Sequence, residues 1–163
     1  MNHYELLMLE LTDFGDAPLE KQWPNPVSEM ELDDVEERLG DSLPLDYREF
    51  LRQYGGFNVY KYFLVPQSER SISLHVGISG FFNAKSLLSA TSCVNVEEDL
   101  LPHNSIAIGF GDKGYILLVL YGQQKGQIYF WNFSQTGSAI ESENLHFVAN
   151  TFDEFMELLR IQN

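Results

Sequence analysis

The segment Leu43–Gly56 reads LPLDYREFLRQYGG and predicts a short amphipathic helix with a defined start and end. Its apolar residues recur at spacings of three and four, which aligns them along one stripe of a helix with about 3.6 residues per turn. They are Leu43, Tyr47, Phe50, Leu51 and Tyr54. Pro44 suits the first turn, where its missing N–H would have no partner, and Gly55 and Gly56 can adopt the positive φ that closes a helix. The segment is therefore a packing unit without a reactive residue.

An acidic helix is predicted immediately before this segment. Ser28 followed by Glu31 is a capping box, in which each side chain accepts a hydrogen bond from the backbone N–H of the other residue, and Gly40 ends the helix. The inward stripe consists of Leu32, Val35 and Leu39. The acids expected on the solvent side are Glu29, Glu31, Asp33, Asp34, Glu36 and Glu37. Nine acids and two arginines between Glu29 and Glu49 give this region a local net charge of −7.

The composition indicates one acidic globular domain of 163 residues. Hydrophobic residues at 44% and aromatic residues at 13% exclude a disordered chain. The net charge of −14 repels phosphate backbones and anionic lipids and attracts cationic partners, so we expect neither nucleic-acid nor membrane binding. Residues 1–60 contain 14 acids and four basic residues, and hence most of this charge. This negative charge has two possible explanations: a solvated surface that keeps the protein soluble, or a face that binds a cationic partner.

The cysteine and histidine content predicts no disulfide, metal or cofactor. Cys93 is the single cysteine, which fits a reducing compartment. The four histidines are scattered, and none has a second ligand at metal-binding spacing. They are His3, His75, His103 and His146. The N-terminus lacks a basic region typical of a secretory signal, and no apolar segment approaches the ~18 residues that span a bilayer, so we expect a cytoplasmic protein.

The remaining segments predict a sheet with two further helices. Strands are expected at Phe57–Val65, from Ile72 to Ile78, and at Ser105–Gly109, Tyr115–Tyr121, Gln127–Phe133 and Leu145–Ala149, the last at an edge. The unbroken apolar run YILLVLY predicts a central strand covered on both faces. Asn83 caps a helix to about Ala90, and Thr151 with Glu154 is a second capping box before a final helix. Residues 1–27 are expected to be an N-terminal segment with a proline-rich surface loop, pinned by Trp23, before a domain of residues 28–163.

Catalytic motifs are missing from the sequence. The segment Gly109–Gly114 is superficially similar to a phosphate loop, but it joins two predicted strands, and Tyr115 follows where a lysine and a hydroxyl residue are needed. No GxSxG elbow is present. Adjacent carboxylates such as Asp33 and Asp34 lie in solvated runs, which do not suit a carboxyl group for acid catalysis. We therefore expect a protein that is not an enzyme.

Taken in order, these segments resemble the SUKH-domain family, the Smi/Knr-type immunity proteins, over roughly residues 28–162. The helical motif LPxdYxxFLxxxGG is matched by Leu43, Pro44, Tyr47, Phe50, Leu51, Gly55 and Gly56. The strand motifs are matched by Ile106, Gly109, Gly114, Gly126, Ile128, Tyr129 and Trp131. The closing helix is matched by Phe152, Phe155 and Leu159. These positions are apolar residues, prolines and glycines, so they report the fold and do not identify a partner surface.

The resemblance implies an α+β fold in which one mainly antiparallel sheet packs against helices, and it implies no catalysis. Many bacterial members are immunity proteins that bind and neutralise toxins, often nucleases. For this chain we hypothesise a cytoplasmic immunity protein, a monomer or a homodimer, that binds a cognate toxin with a basic surface and blocks its active site. The partner-binding residues in this hypothesis are the acids of the helix from Glu29 to Glu37 and Trp23. Candidate aromatic anchors are Trp23, Tyr60, Tyr62 and Trp131. The alternatives are an adaptor with an apolar peptide groove and a small-molecule hydrolase with a deep polar pocket.

Overall fold

The computed structural model describes residues 6, 8–9, 26–65, 76–96, 105–111, 114–132 and 145–161. This part of the chain forms a seven-stranded sheet with helices packed on it. The helices are α1 (Glu29–Leu39), α2 (Leu45–Gln53), α3 (Ala84–Val96) and α4 (Phe152–Leu158). The strands are β1 (Phe57–Val65), β2 (Val76–Phe81), β3 (Ser105–Gly111), β4 (Gly114–Val119), β5 (Ile128–Asn132), β6 (Leu145–Ala149) and β7 (Arg160–Ile161).

The sheet has the order β6-β5-β4-β3-β2-β1-β7, and every neighbouring pair is antiparallel. Successive strands from β1 to β6 are neighbours, with α3 in the connection from β2 to β3, and β7 lies beside β1 at the other edge of the sheet. The predicted α+β class with a mainly antiparallel sheet is confirmed. The predicted edge position of Leu145–Ala149 is also confirmed, since β6 is the terminal strand in this order.

The central strand β4 is covered on both faces, as its apolar run predicts. Ile116 and Leu118 belong to the main core cluster, whereas Leu117 packs on the opposite face with Ala107 and Trp131. Trp131 is only 6% exposed, so it is a packing residue and cannot act as an exposed anchor. The main cluster also contains Met8 from the N-terminal segment. The proposed boundary between residues 1–27 and 28–163 stays a prediction.

The family-motif residues lie in or against this core. The buried side chains of the motif are Leu43, Tyr47, Phe50, Leu51, Ile106, Ile128, Trp131, Phe152, Phe155 and Leu159. Gly55 has φ 64°, and Gly126 in the turn before β5 has φ 94°, both in the left-handed region that favours glycine. A Cβ on Gly109 would lie 2.8 Å from the carbonyl oxygen of Gly80 on β2, so the close approach of β2 and β3 requires a glycine there.

The helix ends agree with the predicted capping signals at most positions. Ser28 and Glu31 form the reciprocal capping box with two 3.2 Å hydrogen bonds, and Gly40 ends α1 with φ 81°. The prediction for Pro44 is wrong by one position: this residue is the N-cap of α2, with extended backbone, and does not lie within the first turn. The chain before Pro44 is therefore a connection, although Leu43 is still buried.

The helix α3 is longer than predicted, since it runs to Val96 instead of ending near Ala90. Its start is as predicted, because the backbone N–H of Ser86 donates to Asn83 Oδ1 at 2.8 Å. Thr91 is buried against β3, where its hydroxyl accepts a hydrogen bond from the N–H of Ala107 at 3.2 Å. Packing on the sheet thus sustains the helix beyond its local signals.

Strand ends also differ from the sequence predictions. β2 continues to Phe81, because its last residues pair with both β1 and β3, whereas residues 72–75 of the predicted strand lie outside the described residues. β4 ends at Val119, and Tyr121 is an exposed residue of the following turn.

Thr151 and Glu154 cap α4, but only one of their two hydrogen bonds is the one that the predicted capping box requires. The Thr151 hydroxyl accepts from the N–H of Glu154 at 3.1 Å. The Glu154 carboxylate accepts from the N–H of Asn150 at 2.9 Å, one residue earlier than in a standard capping box. The N–H of Asp153 donates to Asp46 Oδ2 at 3.1 Å, which joins α4 to the start of α2.

Replacing Asp153 with asparagine is expected to stabilise the protein at neutral pH. Burial, and then the charges of Asp46 and Glu157, raise the pKa of the Asp153 carboxyl. Its protonated form is therefore favoured in the folded state, and the stability that this gives at low pH is lost as the pH rises through the folded-state pKa. Urea unfolding should show a higher midpoint for Asp153→Asn at pH ~7 and little change at pH ~3, where the carboxyl is protonated in both states. An equal change at both pH values would contradict this.

Replacing Tyr47 with phenylalanine is expected to raise the free energy of unfolding by about 1 kcal/mol. Tyr47 is 1% exposed, and its hydroxyl has no hydrogen-bond partner within the described structure, so folding desolvates a polar group without compensation. Tyr129→Phe is the matched control, since that hydroxyl donates to Gln127 Oε1 at 2.9 Å. Urea unfolding should show opposite signs for the two variants, and a loss of stability in Tyr47→Phe would refute the expectation.

Candidate interaction surface

The acids of α1 other than Glu37 divide into two sets, because α1 lies beside both α2 and α3. Glu29, Asp33 and Glu36 recur at spacings of four and three and face α2, where all three contact Arg48. Glu31 and Asp34 lie on the side of α3. Five of the six predicted acids are exposed, and the sixth, Glu36, is half-buried.

Arg48 on α2 is the centre of the first set. Its Nε donates to Glu36 at 2.7 Å, its Nη1 to Glu29 at 2.8 Å and its Nη2 to Asp33 at 3.1 Å. The carboxylates, Glu36 foremost, raise the pKa of the guanidinium, which stays charged at any ordinary pH. A second oxygen of Glu36 accepts from the N–H of Leu43 at 2.9 Å. The predicted solvent position of Glu36 is therefore wrong, because the connection to α2 folds back over its carboxylate.

Replacing Arg48 with methionine is expected to lower the free energy of unfolding by about 1–2 kcal/mol. The Glu36 side chain is only 18% exposed, so most of the loss comes from leaving its charge without a cation, whereas Glu29 and Asp33 remain solvated. Arg48→Lys should rescue little, since one ammonium cannot reproduce three directed N–H donors.

The matched control for Arg48 is Arg52→Met on the same helix. Arg52 pairs with Glu49, and both side chains are about half exposed, so solvent screens this pair and the change should cost much less stability than Arg48→Met. Urea unfolding measures both variants. Equal losses would show that the Arg48 cluster does not stabilise the α1–α2 pair.

The second set of acids borders a cleft of about 580 Å³ between α1 and α3. Its lining residues are Pro26, Val27, Glu31, Asp34, Val35, Arg38, Asn83, Ala84, Lys85 and Leu88. Asp34 and Arg38, one turn apart on α1, form an ion pair at 3.0 Å. Lys85 lies on the opposite wall, in the first turn of α3. The buried side chains of Val27 and Val35 form an apolar floor.

Some exposed apolar side chains on α1 and α2 were not predicted as partner-binding residues. Met30 on α1 is 82% exposed, and Leu45 at the start of α2 is 84% exposed. The signal for Met30 was present in the helical period, because this residue lies opposite the inward stripe that contains Leu32. Of the predicted aromatic anchors, Trp131 is buried, and Trp23 and the side chains of Tyr60 and Tyr62 lie outside the described residues.

The described residues contain no group of three histidine, cysteine or acidic side chains that could coordinate a metal ion. His146 on β6 is the one histidine among them; burial lowers its pKa, and its Nε2 is buried without a partner in this part of the chain. The residues that line the cleft include no serine, cysteine or histidine. Among the helices that are described, none is long and apolar enough to cross a membrane.

A family model described as SMI1 / KNR4 family (SUKH-1) matches residues 26–158. This range exceeds half of the chain and contains all four described helices, the strands β1 to β6 and the cleft between α1 and α3. A comparison with curated proteins finds no match.

Proposed function

Because the chain belongs to the SMI1 / KNR4 family (SUKH-1), we propose that it is an immunity protein that binds a cognate toxin directly in the cytoplasm and neutralises it. In this proposal the toxin is a nuclease, and the protein blocks the toxin's active site without catalysing any reaction itself. The observation that carries the proposal is the acidic face of α1 on a chain with a net charge of −14.

Electrostatics connects this face to a nuclease. A nuclease must bind a phosphate backbone, so its substrate groove is basic. An acidic protein surface competes for the same lysines and arginines, and complementary charge mainly accelerates association. Asp33 is 75% exposed and Glu29 is 63% exposed although both contact Arg48, so their outer oxygens remain accessible to a partner. Glu36 is too buried for direct contact and contributes only to the field.

An apolar contact is also available within this acidic face. Met30 is largely exposed on α1, next in sequence to Glu29 and Glu31. Interfaces usually combine a desolvated apolar centre with a polar rim, and methionine adapts its shape to different partners. We therefore expect Met30 to supply buried area at the centre of the complex, with the surrounding acids as its rim.

Co-expression with the toxin domain encoded by the adjacent gene tests the proposal. The expected result is restored growth and co-purification of the two proteins. Asp33→Asn/Glu37→Gln removes two outward charges of α1, and Asp153→Asn/Glu157→Gln removes two charges from α4. The α1 variant should associate several-fold more slowly than the α4 control, which has the same net charge. Failure to form a complex, together with failure to restore growth, would reject the toxin-binding function.

A regulatory or scaffolding adaptor is the second candidate, and the apolar floor of the cleft favours it. Such a protein would bind a peptide in the cleft between α1 and α3, with an affinity that depends little on salt. Association rates with a purified partner at low and high ionic strength separate the two functions. Slower association at high salt supports charge-directed toxin binding, whereas a constant rate supports the adaptor.

A further inference from the structure

The cleft between α1 and α3 presents opposite charges on its two walls. In the part of the chain whose side chains are described, Lys85 on α3 forms no ion pair, whereas the other cations are paired. These paired cations are Arg38, Arg48, Arg52 and Lys125. On the α1 wall, the Glu31 carboxylate contacts only the N–H of Ser28 in its own helix cap. Asp34 and Arg38 neutralise each other. The charges left for a ligand are therefore one anion and one cation.

An apolar surface separates these two charges. The half-buried Ala84 and Leu88 on α3 supply the accessible part of this surface, whereas Val27 and Val35 at the bottom of the cleft are only 5% and 2% exposed. The volume of about 580 Å³ lies within the usual range of binding pockets. An apolar side chain of a ligand would find a preformed contact surface there.

We propose that this cleft receives a short segment of the partner protein in which an apolar side chain lies between a basic and an acidic one. The apolar side chain contacts Ala84 and Leu88, the basic group pairs with Glu31, and the acidic group pairs with Lys85. The inference deepens the proposed direct binding of a protein partner and rests on it. It adds a second contact region to the outward acids of α1.

Charge balance favours a segment with both signs over one with a single sign. The lining contains two acids and two bases, so a purely basic segment would meet Arg38 and Lys85 unfavourably, and a purely acidic one would meet Glu31 and Asp34. A segment with one charge of each sign can form an ion pair with Glu31 on one wall and with Lys85 on the other, and it can do so in only one orientation. Such an arrangement sets register and specificity, whereas the overall negative field sets the association rate.

Capped pentapeptides test the chemistry of the cleft without any toxin. The probe is Gly-Lys-Leu-Glu-Gly, and the controls replace either its lysine or its glutamate with glutamine. In titrations followed by amide chemical shifts, the probe should perturb Glu31, Lys85 and Leu88. Each control should bind about threefold more weakly, as expected for the loss of one exposed ion pair. Equal binding of all three peptides, or no perturbation at the cleft, would overturn the inference.

A variant that keeps the net charge tests whether the peptide binds in this cleft. Glu31→Gln/Lys85→Gln removes both poles, and glutamine still accepts the capping hydrogen bond. Glu49→Gln/Arg52→Gln is the matched control, because it removes one exposed acid and one exposed base from α2 without changing the net charge. Only the first variant should lose the threefold preference for the doubly charged peptide. Retention of that preference in the first variant would overturn the inference, and circular dichroism verifies that both variants fold.

The toxin domain then separates this inference from the proposed function. We expect Glu31→Gln/Lys85→Gln to raise the Kd for the toxin about tenfold and the α2 control to leave it within about twofold, since two exposed charge contacts are lost. If the toxin binds both variants as tightly as it binds the unaltered protein, the cleft inference fails and toxin binding stands. If no toxin binds but the peptide preference holds, the toxin function fails and the cleft remains a peptide site.

Discussion

Replacing Phe50 with alanine is expected to lower the free energy of unfolding by about 4 kcal/mol, because it opens a cavity where α2, α4 and the sheet meet. Phe50 is 1% exposed. Its ring centroid lies 4.9 Å from that of Phe152 on α4 and 5.2 Å from that of Phe81 on β2. Tyr47 on α2 and Tyr54, the C-cap of this helix, complete the aromatic cluster. The substitution therefore removes both buried area and ring contacts that no neighbouring side chain can replace.

Equilibrium urea unfolding measures this loss, with two controls on the same position and the same helix. Phe50→Leu keeps most of the apolar volume and should cost about half as much. Leu45→Ala removes a side chain that is 84% exposed and should change the free energy by less than about 0.5 kcal/mol. Similar losses in Phe50→Ala and Leu45→Ala would mean that the aromatic cluster is not the centre of the core.

The period of α2 could be predicted from the sequence because its signal is local. Spacings of three and four placed Tyr47, Phe50 and Leu51 on one face, and all three are buried. The capping box at Ser28 is equally local, since its two hydrogen bonds join residues three apart. The strand β4 was recognisable by its unbroken apolar run, which suits only a strand covered on both sides. Signals confined to one element therefore predicted most of the elements, whereas the α+β class followed from the resemblance of the ordered segments to a known family.

The candidate surface could be predicted only in part, because its contacts join residues far apart in the chain. The helical period of α1 shows which acids point away from Leu32, but not that Glu29, Asp33 and Glu36 face Arg48, which lies 19, 15 and 12 residues further along the chain. The cleft depends in the same way on Glu31 and Lys85, which come together only after α3 packs beside α1. Long-range packing also explains the additional length of α3, through the contact of Thr91 with β3.

Gly56→Ala is expected to lower the free energy of unfolding by about 3 kcal/mol or more, because a Cβ at this position has no space. It would lie 2.0 Å from the backbone nitrogen of Asn83 and 2.3 Å from the carbonyl carbon of Phe82. Both atoms belong to the backbone between β2 and α3, so no side-chain rotation can relieve the overlap. The end of the α2 motif and the start of α3 would have to separate.

Gly40→Ala isolates this steric effect from backbone strain. Gly40 has φ 81°, so alanine there is strained by about 1–2 kcal/mol, but nothing lies within 4 Å of the added Cβ. Gly56 has no positive φ, so its cost is contact alone. Urea unfolding should therefore rank Gly56→Ala as the more damaging change. If Gly40→Ala proved the more damaging change, the segment before α3 could move away from Gly56, and α3 would be a movable wall of the cleft. The larger loss that we expect for Gly56→Ala would instead show that this wall is fixed.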